Sequence, residues 1–70
     1  MASDPMNELD RRAVSVSRRA NPRTGISVIT VTFYGPAGEL VRRIYRGRLL
    51  RVMAEEALRD MGPERPPAEG

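Results

Sequence analysis

The chain of 70 residues contains no cysteine, no histidine and no lysine. Without cysteine it can form neither a disulfide framework nor a thiolate metal site. Without histidine and lysine it lacks the commonest general base, the preferred nitrogen ligand of zinc and the amine nucleophile. The remaining carboxylates show no pairing that suggests acid–base chemistry. These absences predict a binding protein rather than an enzyme, with no metal and no cofactor.

Long hydrophobic runs are also absent. No apolar segment approaches the roughly 20 residues that a membrane-spanning helix needs. The N-terminus carries Asp4, Glu8 and Asp10 and lacks the basic start of a signal peptide. We therefore expect a cytoplasmic protein that makes no membrane contact.

Aromatic residues are scarce, since the sequence has only Phe33, Tyr34 and Tyr45. Proteins that bind single-stranded nucleic acids commonly stack bases on several aromatic side chains. Phe33 is predicted to lie in the core, so only the two tyrosines remain for such a role.

Charge is strongly segregated along the chain. Residues 1–10 contain three acids and no base, residues 11–53 contain ten arginines and one acid, and residues 54–70 contain five acids and two arginines. A dense basic block favours a polyanionic partner, and phosphate backbones are the commonest in cells. Arginine suits this role because its planar guanidinium can bind a phosphate or a guanine with two hydrogen bonds.

The first half of the chain predicts two β-strands. Residues 1–10 show no sustained periodicity and are interpreted as a flexible acidic arm. Residues 12–18 alternate between apolar and polar side chains, which predicts a first strand. Turn-forming residues at 20–25 separate it from a second strand at 26–34, which is rich in β-branched residues and is expected to be central.

The second half predicts a third strand and a helix. Residues 35–38 form a glycine- and proline-containing turn, and residues 39–46 alternate as a strand should. A helix over residues 39–46 is an alternative, but Gly47 would then lie inside it. The apolar positions that follow have the spacing of an amphipathic helix: Leu50, Met53, Ala54, Ala57, Leu58 and Met61. Gly62 and Pro63 are expected to end this helix.

These elements predict an α+β fold of the order βββα. A three-stranded antiparallel meander would be covered on one face by a single C-terminal amphipathic helix. The domain is expected to span residues 11–62, followed by a disordered proline-rich tail at residues 63–70.

The two hairpins together predict which side chains face the helix. Pairing of Arg19 with Ile26 and of Tyr34 with Glu39 gives one inner set: Val14, Val16, Ile29, Val31, Phe33, Leu40 and Ile44. The opposite face then carries Ser15, Ser17, Thr30, Thr32, Arg43 and Tyr45, with Val28 and Val41 between them. A slip of one residue would exchange the two faces of a strand.

The sequence suggests a nucleic-acid site on the uncovered face and at the helix start. Serine and threonine would bond phosphates, Arg43 would read a base or clamp the backbone, and Tyr45 would stack on a base. Arg46 and Arg48 could hold one phosphate at the helix N-terminus. The candidate residues are Arg18, Arg19, Arg23, Thr30, Arg43, Tyr45, Arg46 and Arg48. An ordinary solvated sheet face is the alternative interpretation of these residue types.

Two functions follow as hypotheses. The first is a small basic nucleic-acid-binding domain, with DNA favoured over RNA as its partner. The second is a protein-interaction or regulatory module that docks an acidic protein partner or forms a homodimer. Leu49 and Val52 widen the apolar stripe of the predicted helix, which suggests a partner helix or a homodimer interface, and core packing of a wide stripe is the alternative explanation. The scarcity of aromatic residues favours the second hypothesis, and the clustering of arginines favours the first.

Overall fold

A computed structural model describes residues 4–63 and shows an α+β fold. The elements, in chain order, are α1 (Pro5–Arg12), β1 (Ser15–Asn21), β2 (Ile26–Tyr34), β3 (Leu40–Gly47) and α2 (Leu50–Met61). The strands form one antiparallel sheet in the order β1-β2-β3. The predicted meander with a C-terminal helix is therefore confirmed.

The segment predicted as a flexible acidic arm, residues 1–10, contains most of helix α1, which the sequence did not predict. The side chain of Asp4 accepts a hydrogen bond of 3.0 Å from the backbone N–H of Met6, and Pro5 occupies the first helical position. Both features favour a helix start. Met6 and Leu9 are buried in the core, and Leu9 is fully inaccessible. Residues 1–3 of the expected arm and residues 64–70 of the expected tail lie outside the described residues.

The strand pairing differs from the prediction in both hairpins. In the first, Ile26 pairs with Asn21 instead of Arg19. A shift of two residues leaves every side chain on its predicted face. In the second, Tyr34 pairs with Leu40 instead of Glu39, and this shift of one residue exchanges the faces of β3.

Glu39 causes the shift because it belongs to the loop. Its carbonyl accepts a hydrogen bond of 2.7 Å from the N–H of Gly35, and its carboxylate accepts one of 2.9 Å from the N–H of Ala37. Gly38 has a positive φ of 83°, which glycine adopts without strain. The loop therefore contains five residues, 35–39, and the strand begins one position later than predicted.

The inner face of β3 consequently carries Val41 and Tyr45, which pack against the core. Leu40 and Ile44, which the prediction placed inside, are 62% and 61% exposed. Val14, also predicted inside, precedes β1 and is 50% exposed.

Both helices pack on the same face of the sheet, with the core between the two layers. Its buried hydrophobic residues are Met6, Leu9, Ile29, Val31, Phe33, Met53, Ala54 and Ala57. Arg12 of α1 donates a hydrogen bond of 2.6 Å to the carbonyl of Gly62, directly after α2. This bond ties the end of one helix to the end of the other. Within residues 4–63, neither helix has the length or the apolar character to cross a membrane.

Candidate nucleic-acid interface

One face of the sheet is left uncovered, because α1 and α2 both lie on the other. We call this surface the open face. Along β2, Ile29, Val31 and Phe33 are buried beneath the helices, whereas the alternate side chains point away from them. Side chains that pair directly across two strands share a face, so the register of the sheet defines the open face completely.

Three complete rows run across the strands on the open face, and the pairs Asn21–Ile26 and Tyr34–Leu40 extend it at its two ends. The rows, each written from β1 to β3, are Arg19, Val28 and Arg46, then Ser17, Thr30 and Ile44, then Ser15, Thr32 and Arg42. Four hydroxyl groups lie on β1 and β2 in two adjacent rows, and both edge strands carry arginines. Serine and threonine hydroxyls and arginine guanidinium groups are the donors that commonly bind phosphate oxygens.

The strands and the helices differ in the charged residues that they carry. The three strands contain five arginines and no carboxylate, whereas α1 and α2 together contain four arginines and five carboxylates. On the helical side, some of the charges are paired: Arg11 lies 3.0 Å from Glu8, and Arg18 lies 3.6 Å from Asp10. Among the residues that the structure describes, no ion pair involves an arginine of the open face. This surface therefore carries uncompensated positive charge.

The structure brings three of the predicted site residues together on the open face: Arg19, Thr30 and Arg46. Arg23 lies in the β1–β2 turn, where its N–H donates to the side chain of Asn21 at 2.9 Å. Arg42 also lies on the open face, but the prediction missed it. The adjacent pair Arg42 and Arg43 was visible in the sequence, and the one-residue error in register selected the wrong member.

Three other predicted residues project from the helical side of the sheet. Arg18 and Arg43 pair with Ile29 and Val31, which are buried there. Tyr45 also faces the helices, and its hydroxyl donates a hydrogen bond of 2.6 Å to Asp60 Oδ2. The pKa of Tyr45 is raised well above its ordinary value, mainly by burial and in second place by this hydrogen bond. The tyrosine therefore holds α2 to β3 and does not stack on a base at the open face.

The two arginines that were predicted to hold a phosphate at the start of α2 do not converge there. The residue that caps α2 is Leu49, and no side chain bonds the free N–H groups there. Arg46 projects from the open face, on the side of the sheet opposite to α2. Arg48 directs its guanidinium to the β1–β2 turn, where Nη1 lies 3.7 Å from the position that a Cβ atom would take at Gly25.

A shallow depression of about 530 Å³ lies on the open face at the end nearest the β1–β2 turn. Arg19 and Arg46 stand on its two sides, and Ile26 and Val28 line it between them. Pro22 and its neighbours in the turn close one end. The depression could not be predicted from the sequence, because its residues come from three strands whose register must be known.

Comparisons with protein-family models, with curated proteins and with solved structures find no match for this chain.

Proposed function

We propose that this domain binds DNA through the open face of its sheet and performs no chemistry of its own. The observation that carries the proposal is an uncovered face with three arginines, Arg19, Arg42 and Arg46, and no carboxylate. Such a surface attracts a polyanion, and hydroxyls of the central rows supply hydrogen bonds to phosphate oxygens.

The shape and composition of the open face favour duplex DNA over RNA. Three strands at a spacing of about 4.8 Å give a backbone width of about 10 Å, which is comparable with the ~12 Å major groove of B-DNA. The major groove of an RNA helix is too narrow for such an element. Single strands require aromatic platforms, and the open face has only Tyr34, at its end.

Equal removal of charge from the two layers tests this proposal. The variant Arg19→Gln/Arg46→Gln removes two charges from the open face. The matched control, Arg51→Gln/Arg59→Gln, removes two exposed charges from α2 on the opposite layer. Loss of charged hydrogen bonds to phosphates should weaken binding of the first variant by about tenfold or more. The control should lose much less.

Fluorescence anisotropy with a labelled random-sequence duplex at low salt measures these affinities, and thermal melts establish that both variants fold. If the two variants lost the same affinity for the duplex, the open face would not be the binding site. If the parent protein bound no duplex at low salt, the proposal of DNA binding would be overturned.

A protein partner is the second candidate, because the open face also exposes large hydrophobic side chains. Tyr34, Leu40 and Ile44 are 65%, 62% and 61% exposed on this one surface. A second copy of the chain or an acidic protein would bury them and neutralise the arginines. Sedimentation of the parent and of Leu40→Ser/Ile44→Ser tests the homodimer. A dimer that only the parent forms supports this alternative, and a monomeric parent excludes self-association.

A further inference from the structure

The depression between Arg19 and Arg46 contains a feature that phosphate binding alone does not require. It lies on the open face, whose strands carry three arginines and no carboxylate, yet Ile26 and Val28 line it between the arginines. Contacts to phosphates use donors of hydrogen bonds, which these two side chains lack. An apolar patch framed by two cations fits a ligand in which an apolar group lies between two anions.

The position of Val28 in the sheet gives the spacing of this arrangement. Val28 pairs with Arg19 on one side and with Arg46 on the other. Two strand spacings separate the backbones of the arginines by about 10 Å, with Val28 midway. In the ~12 Å major groove of B-DNA, a phosphate backbone forms each wall and base edges form the floor. The row Arg19, Val28 and Arg46 therefore matches a section across that groove.

Among the bases of DNA, thymine has such an apolar group. Its 5-methyl is exposed on the floor of the major groove, and the other bases present hydrogen-bonding atoms there. We infer that Val28 and Ile26 contact thymine methyl groups in the major groove, while Arg19 and Arg46 bind the phosphates on either side. This inference rests on the proposed function and deepens it, since it names the groove and the base feature that is read.

Replacement of thymine by uracil tests the inference, because it removes only the methyl group. Two pools of random-sequence duplexes, one with thymine and one with uracil throughout, are titrated at the same salt concentration. Burial of one methyl group corresponds to about a fourfold change in affinity. We expect the parent protein to bind the thymine pool at least about fourfold more tightly.

Two variants assign the effect to the depression. Val28→Ala removes the methyl groups that would touch thymine, so the ratio of the two affinities should fall towards one. Val14→Ala is the matched control, because Val14 is half exposed and lies outside the open face. It should keep the ratio of the parent. Thermal melts check that both variants are folded.

The outcomes separate this inference from the function on which it rests. If the parent binds both pools with equal affinity, the thymine contact is wrong and the proposed DNA binding stands. If the parent binds neither pool, the proposed function itself is wrong. A preference for thymine that Val28→Ala leaves unchanged would also overturn the inference, because the methyl group would then be read elsewhere.

Discussion

Tyr45 illustrates how one side chain can serve the fold where the sequence suggests a binding role. Its ring packs against the core, and its hydroxyl donates to Asp60 on α2. The bond joins the edge strand β3 to the helix that covers it. A phenol in this position stabilises the contact between layers only while it keeps its proton.

We therefore expect Tyr45→Phe to lower the free energy of unfolding by about 1 kcal/mol at neutral pH, because Asp60 loses its donor. The pKa of Tyr45 is raised in the folded state above the ordinary value of 10.0, so the unfolded chain releases this proton first. The contribution of the hydroxyl is thus complete below about pH 10 and declines as the pH rises further. Urea denaturation of parent and variant between pH 7 and pH 11 should show the difference shrinking.

Tyr34→Phe provides the comparison for this experiment. Tyr34 is exposed on the open face, and its hydroxyl makes no hydrogen bond within residues 4–63. The variant should match the parent at neutral pH. A constant difference between the parent and Tyr45→Phe across the whole pH range would contradict the role assigned to the Tyr45 proton.

Helix α1, which the sequence did not predict, contributes to the hydrophobic core and therefore to the stability of this small domain. It brings Leu9 into complete burial against the same core that contains Ile29. We expect Leu9→Ala to destabilise the protein by about 2 to 5 kcal/mol, as much as Ile29→Ala, because a small core cannot close the cavity. Thermal or urea denaturation measures both. Leu40→Ala, at an exposed position, should change stability by less than about 0.5 kcal/mol.

The strands and the C-terminal helix could be predicted because their hydrophobic patterns extend over several periods. The apolar positions of β2 and of α2 each recur over several periods. Strand β2 has the predicted residue range, and α2 contains the predicted apolar positions and ends before Gly62 as expected. Helix α1 has eight residues, of which only Met6 and Leu9 are buried hydrophobic positions of the core. One such pair does not establish a helical period, so the element was missed. Its capping residue, Asp4 before Pro5, was the available signal.

The composition of the site was less predictable than the fold, since it depends on register. The sequence places Arg42 and Arg43 side by side, and only the length of the loop decides which one faces outward. Hydrogen bonds of Glu39 determine that length, and no pattern of hydrophobic residues encodes them. Arg19 and Thr30 were placed correctly because an even shift in the first hairpin preserves the faces.

At the scale of the molecule, separation of charge between the layers makes the open face distinct from a generally basic surface. The helical layer contains nearly equal numbers of arginines and carboxylates, whereas all charges of the strands are positive. If the protein bound DNA by diffuse electrostatic attraction, the affinity would depend on the total charge, whichever arginine is removed. If arginines of the open face contact phosphates directly, the affinity would depend on which arginine is removed.

The salt dependence of DNA binding distinguishes these two cases. Each phosphate that the protein neutralises contributes about −0.9 to the slope of log K against log salt, because counterions are released from the duplex. If Arg19 and Arg46 each bind one phosphate, Arg19→Gln/Arg46→Gln should reduce the magnitude of this slope by about two. Arg51→Gln/Arg59→Gln carries the same net charge but should retain the slope of the parent, since α2 lies on the other layer. Titrations of the three proteins against one duplex at several salt concentrations give the slopes. Equal slopes in the two variants would show that the protein senses only total charge, and the open face would lose its role as a directed phosphate site.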